Sequence, residues 1–188
     1  MNEKPSTCST CRLYHLPTVG FCSDSAPKGA KVGVLLYRPG RESAVTGDPW
    51  DADSMYSVLR TYNKLGFAKD DILVAYLIRC YFAHSAKGTL PKTDAQHALT
   101  LCRQYDQALR AWRPNAVVYT YDLEGAFGSP PMQCINELAA SKARQLADRG
   151  YRPLVAYGKE VLEFLDPQLK GGISSWKLHI DTKFHWRP

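Results

Sequence analysis

No stretch of this sequence is long and apolar enough to span a bilayer. Its longest apolar runs, Val32–Tyr37, Ile72–Ile78 and Ala116–Tyr119, stop far short of the roughly 20 residues a spanning helix needs. The opening residues Met1–Thr7 lack the apolar core of a secretory signal, so the expected compartment is cytoplasmic and no membrane partner is expected. There is no internal repeat and no low-complexity tract. A phosphate-cradling P-loop, a dinucleotide-binding glycine fingerprint and a Ser-His-Asp arrangement are all missing at recognisable spacing. Each of those absences removes a common enzyme class.

What is present fits one folded domain over residues 1–188, expected to be a monomer. The apolar fraction is 45% and aromatics make up 11%, enough for a substantial core. The net charge of +6 suits a partner that carries phosphates. Six cysteines are spread along the chain: Cys8, Cys11, Cys22, Cys80, Cys102 and Cys134. In a reducing compartment they do not read as structural disulfides. The Cys8-x-x-Cys11 pair suits a metal or a cluster better than a core.

Residues 1–30 are polar and carry Pro5, Pro17 and Pro27. They predict loop, with a short helix around Arg12–Leu16, held to the body by the cysteines. Lys31–Tyr37 predicts a buried strand, broken by Arg38-Pro39-Gly40, and Gly40–Asp51 a loop. Met55, Val58, Leu59 and Tyr62 recur at helical spacing within Asp53–Leu65, which Gly66 ends. Further strands are predicted at Asp71–Arg79, Ala116–Tyr121 and Pro153–Tyr157. Helices are predicted at Asp94–Trp112, Gln133–Gly150 and Lys159–Leu165, and a final strand or loop at Lys177–Trp186. Strands that are continuous apolar runs, alternating with helices, imply a three-layer α/β/α sandwich around a central, mainly parallel four-stranded sheet. In such folds the ligand sits beyond the carboxyl ends of the strands. The segments Arg38–Trp50, Cys80–Lys92, Asp122–Pro131 and the C-terminal tail would meet there.

Four pieces, in order, resemble one family. Cys8-x-x-Cys11 is followed by Arg12 and Leu13. A strand ends in Tyr37-Arg38-Pro39-Gly40, with Gly47-Asp48-Pro49-Trp50 soon after. The next strand ends in a basic residue and Cys80. Cys102 sits on a helix leading to Arg113-Pro114 and the strand Ala116–Tyr119. This is similar to the family 4 uracil-DNA glycosylases over about residues 8–120. The resemblance implies a 4Fe–4S cluster on Cys8, Cys11, Cys80 and Cys102. Four thiolates make a complete ligand set, and zinc is the rival metal. Cys22 is a substitute ligand on this reading, and Cys134 a core residue.

The resemblance also implies DNA as partner, and a pocket that receives a flipped base. Trp50 stands at the base-stacking position, with Tyr37, Arg38 and Tyr76 as further pocket residues. Two positions depart from the family. Tyr37 replaces the glutamate that positions the attacking water. Tyr76 replaces the asparagine that reads uracil, and its hydroxyl cannot offer an amide's paired donor and acceptor. His185, or else His179, stands in for the histidine of the last motif. Asp48 and His185 are the candidate catalytic pair, with Glu42 and Asp122 as further acids. Arg41, Lys87 and Lys92, together with Arg12, Lys28 and Arg38, would meet phosphates. Three functions follow: a glycosylase for a base other than uracil, an inactive glycosylase-like DNA-binding protein, or a zinc- or cluster-bearing interaction module.

Overall fold

The computed structural model describes residues 4–14, 18–82, 92–120, 132–166 and 178–186. Among these the elements run, in chain order, β1 (Thr18–Val19), β2 (Val32–Leu36), α1 (Arg41–Thr46), α2 (Asp53–Lys64), β3 (Ile72–Tyr76), β4 (Tyr81–Phe82) and α3 (Lys92–Cys102). They continue with α4 (Gln107–Trp112), β5 (Ala116–Thr120), α5 (Met132–Ala147), β6 (Pro153–Tyr157), α6 (Lys159–Leu165) and β7 (Leu178–Asp181).

The four apolar runs form parallel strands because both faces of each must be covered, and they are: β3 and β5 are buried along their whole length. The order is β3-β2-β6-β5-β7. The sheet therefore has five strands, not the expected four. The fifth, β7, pairs antiparallel with β5, from Thr120 opposite Leu178 to Val117 opposite Asp181. It is half exposed, so its sequence shows none of the continuous apolar pattern that marks the other four. The strand beside β2 on the inner side is β6, not β5, the strand that follows Cys102 most directly.

Side chains alternate between two cores. One face of the sheet packs Val34, Val74, Val118 and Val155 against α2 (Met55, Val58, Tyr62) and α5 (Ala139, Ala140, Ala143). The other packs Leu35, Leu73, Tyr119 and Leu154 against Leu109 of α4 and Val161 and Leu162 of α6. A Cβ on Gly33 would lie 2.7 Å from the Trp112 ring and 2.9 Å from Leu154, so only glycine lets that ring reach the sheet. The Trp112 indole N–H then donates to Ala30 O at 2.9 Å.

Three local readings change. The 40–51 stretch, expected as loop, contains α1, which ends at Gly47 in the left-handed region (φ 81°). The turn Pro49–Asp51 follows. The first residues form two short 3-10 turns, Ser6–Thr10 and Arg12–Tyr14. The expected helix Asp94–Trp112 is broken after Cys102 by the 3-10 turn Arg103–Tyr105. The break has a cause: Arg79 takes the carbonyls of Cys102 and Tyr105 as hydrogen-bond acceptors, at 3.1 and 2.9 Å. Those carbonyls would otherwise serve the next helical turn.

The outer edge of β3 is closed by residues 22–25: Ser25 and Val74 exchange two main-chain hydrogen bonds, at 2.9 and 2.8 Å. No helix among the described residues is long and apolar enough to cross a membrane.

Candidate metal centre

Cys8 and Cys11 lie on adjoining turns because the main chain folds back on itself. Cys8 N–H bonds Pro5 O, Cys11 N–H bonds Cys8 O, and Tyr14 N–H bonds Cys11 O, all at 2.8–2.9 Å. This strap is docked on α3 from outside. Arg12 pairs with Asp94 at 2.8 Å, and His97 Nε2 lies 3.1 Å from Thr10 O. Leu13 is fully buried beneath it, with Ile78, Phe82 and Ala98. Cys80 follows the end of β3, and Cys102 is the last residue of α3.

Cys8, Cys11, Cys80 and Cys102 line one pocket, with Leu13, Phe21, Arg79 and Tyr105 among its other walls. The pocket is partly open to solvent, and the space in it that a water-sized sphere can enter is about 20 Å³. Burial pushes the Cys80 thiol up to about 12, and the neighbouring Cys102 adds to the rise. Burial likewise pushes Cys102 up to about 11, against the opposing pull of Arg79. Deprotonating these thiols in so dry a setting requires a cation to take the place of the protons. Among the described residues no three Cys, His, Asp or Glu side chains are placed to share a single ion. Four thiolates are a complete donor set for a zinc ion as well. By donor chemistry the four thiols around this pocket fit an iron–sulfur cluster and fit zinc. Such a group would supply bonds from the N-terminal strap to the ends of β3 and α3.

Arg79, which the sequence marked only as the basic residue before Cys80, is a further residue of this centre. It is 2% exposed, and its guanidinium meets Asp24, itself 5% exposed, at 2.7 Å. The signal was available: a single arginine closes an otherwise unbroken apolar run, Ile72–Ile78. Tyr105, whose hydroxyl lies 3.6 Å from Cys8 Sγ and bonds Thr7 Oγ1, was not singled out.

The residues expected to line a base pocket do not share one wall. Tyr76 points into the core beneath α2 and is buried, its hydroxyl 3.5 Å from Pro49 O. Burial raises its pKa, and Cys22 beside it adds to the rise. Tyr37 packs toward the opposite core, edge-on to Phe82. Arg38 lies over the rings of Tyr81 and Phe82 and donates to Phe82 O at 2.7 Å, so it braces β4. Trp50 is only 9% exposed, and its indole N–H has no partner among the described residues. Lys69 sits 5.7 Å over its ring.

Asp48 caps the turn before Trp50 by accepting from Trp50 N–H at 2.9 Å, and it lies 3.8 Å from Lys69 Nζ. His185 is exposed in the tail after β7, and His179 stacks on Tyr119 with centroids 5.8 Å apart. Arg41, Glu42 and Lys28 are exposed. Lys87, Asp122 and the side chains of Lys92 and Cys134 lie outside the described residues.

No protein-family model and no curated protein matches the sequence.

Proposed function

We propose that this chain is an iron–sulfur protein of the glycosylase-like kind, which binds DNA and does not excise uracil. The observation that carries the reading is that four cysteines from three separate stretches of sequence border a single pocket. Around it the chain has the order of motifs described above, and a net charge of +6 gives it the sign a phosphate partner requires. Against uracil chemistry stands Tyr76. Its ring fills the space under the 47–50 turn, where the family carries an amide that reads the base. No carboxylate is available at position 37 to hold a water.

Excision of a larger base is the competing reading. What favours it is Trp50, a buried donor without a partner among the described residues, at the position where a base would stack.

The test is anaerobic preparation with iron and acid-labile sulfide assays and a visible spectrum. DNA binding over a salt series and base-release assays on DNA carrying uracil or modified bases follow. Equal iron and sulfide, broad visible absorption and salt-dependent binding without uracil release are the expected results. A colourless protein that holds zinc or no metal overturns the cluster reading. Release of uracil overturns the reading of Tyr76, and release of a modified base alone establishes the competing reading.

A further inference from the structure

We infer that Tyr105 sets the reduction potential of the cluster by donating its hydroxyl hydrogen to the Cys8 sulfur, with Thr7 and Arg79 as positioning residues. This inference rests on the cluster reading above. The Tyr105 hydroxyl lies 3.6 Å from Cys8 Sγ and also bonds Thr7 Oγ1. Taken alone, either atom of each pair could be the donor. A ligand thiolate has no proton, so it can only accept. Tyr105 must then donate to Cys8, and its own oxygen is left to accept from the Thr7 hydroxyl. The resulting relay, Thr7 to Tyr105 to Cys8, runs in one direction, and each bond polarises the next.

The ring has little freedom to leave this position. Phe21 packs against it edge-on with centroids 5.2 Å apart. Arg79, fixed by Asp24, binds the main-chain carbonyls of Tyr105 and Cys102. The hydroxyl is therefore carried on the same turn that presents the Cys102 ligand.

A hydrogen bond to a cluster sulfur stabilises the more negative, reduced state and raises the potential. Reduction adds one electron from dithionite; no covalent bond forms or breaks, and Tyr105 keeps its proton. The test uses the full chain, loaded anaerobically, as wild type, Tyr105→Phe and Thr7→Val, titrated with dithionite and followed by paramagnetic resonance. For Tyr105→Phe the expected change is about tenfold in the reduction equilibrium toward the oxidised form, the size of one hydrogen bond to a charged group. For a one-electron couple that is about 59 mV lower. Thr7→Val should shift the potential the same way by less, with iron content unchanged. Should Tyr105→Phe fail to hold iron, Thr7→Val decides by the same measurement. Potentials equal to wild type in the variants that load overturn the role of Tyr105 and leave the cluster reading intact. A wild-type chain without iron and sulfide overturns the site itself.

Discussion

Replacing Arg79 by methionine removes the positive half of an ion pair that water does not reach. Arg79 and Asp24 are 2% and 5% exposed and 2.7 Å apart. In the variant, Asp24 keeps the Tyr76 N–H at 3.3 Å as a donor, and the carbonyls of Cys102 and Tyr105 lose theirs. An unpaired carboxylate in this setting escapes by taking up a proton. Burial already raises this carboxyl in the wild type against the pull of Arg79, so neutralising it at pH 7 from its ordinary value of 3.8 costs at most about 4 kcal/mol, at roughly 1.4 kcal/mol per pH unit. That agrees with the roughly 3–5 kcal/mol seen when one partner of a buried pair is removed, a large share of a typical stability of about 5–15 kcal/mol.

The sign of the pH dependence follows. The folded carboxyl is already raised by burial in the wild type, and losing Arg79 raises it further, so the folded variant binds more protons than the unfolded chain and its stability falls with rising pH over a wider range above 3.8 than the wild type's. The loss relative to wild type should therefore be smaller near pH 5 than at pH 7. Urea unfolding followed by far-ultraviolet dichroism at both pH values measures it. Adding Asp24→Asn to Arg79→Met should recover much of the loss and abolish its pH dependence. A cost under about 1 kcal/mol at pH 7, or one that does not change with pH, would refute the reasoning.

If the four thiols hold the proposed cluster, Cys80→Ser and Cys102→Ser should each abolish its visible absorption and raise tryptic cleavage after Arg12 several-fold, because the strap at residues 4–14 would lose an anchor; digestion followed by mass spectrometry checks this. Burial, with Asp24 and Asp48 nearby, pushes the Cys22 thiol from 9.0 to about 12. The unfolded chain thus loses that proton first, and stability should fall as pH rises from 9.0 toward 12, with a shallower fall in Cys22→Ala, in urea melts across that range. Asp48→Ala should cost about 1 kcal/mol in the same melts, the worth of a cap, and leave any base release unchanged. Tyr76→Asn should lose about 3–5 kcal/mol, as for other large buried rings cut back, and still release no uracil in a glycosylase assay.

The sequence showed the four parallel strands because burial on both faces forces an unbroken apolar run, and nothing else in the chain looks like one. It marked β7 only as a final strand or loop within 177–186, because an edge strand with one exposed face needs no such run. The break after Cys102 was hidden for another reason. The residues 94–112 read as a continuous helix by local spacing, and the side chain that breaks it, Arg79, arrives from the end of another strand. Local pattern cannot report a partner 23 residues away. The convergence of Cys8, Cys11, Cys80 and Cys102 was legible through motif order, whereas the second layer of Asp24, Arg79 and Tyr105 was not, since each taken alone is an ordinary polar residue in a loop or at the end of an element.

The two tyrosines at 37 and 76 illustrate what alternation along a strand does to a borrowed site. The core beneath α2 takes Tyr76, and the chain after β2 turns Tyr37 toward the opposite core. An amide substituted at 76 would lie among Cys22, Ser43 and Pro49, on the side of the sheet away from the Tyr37 ring. A carboxylate substituted at 37 would emerge next to Phe82 and Glu160, where like charge raises its pKa further. Neither change alone rebuilds a water held against a recognised base. The thiol pocket, by contrast, depends on no such alignment across the sheet. Its four cysteines lie beyond the end of one strand, at the end of one helix and on one strap, and Arg79 fixes the first two of these to each other. The pocket would therefore survive substitution at 37 or 76, and any group bound by its four thiols would tie the N-terminal strap to the ends of that strand and helix.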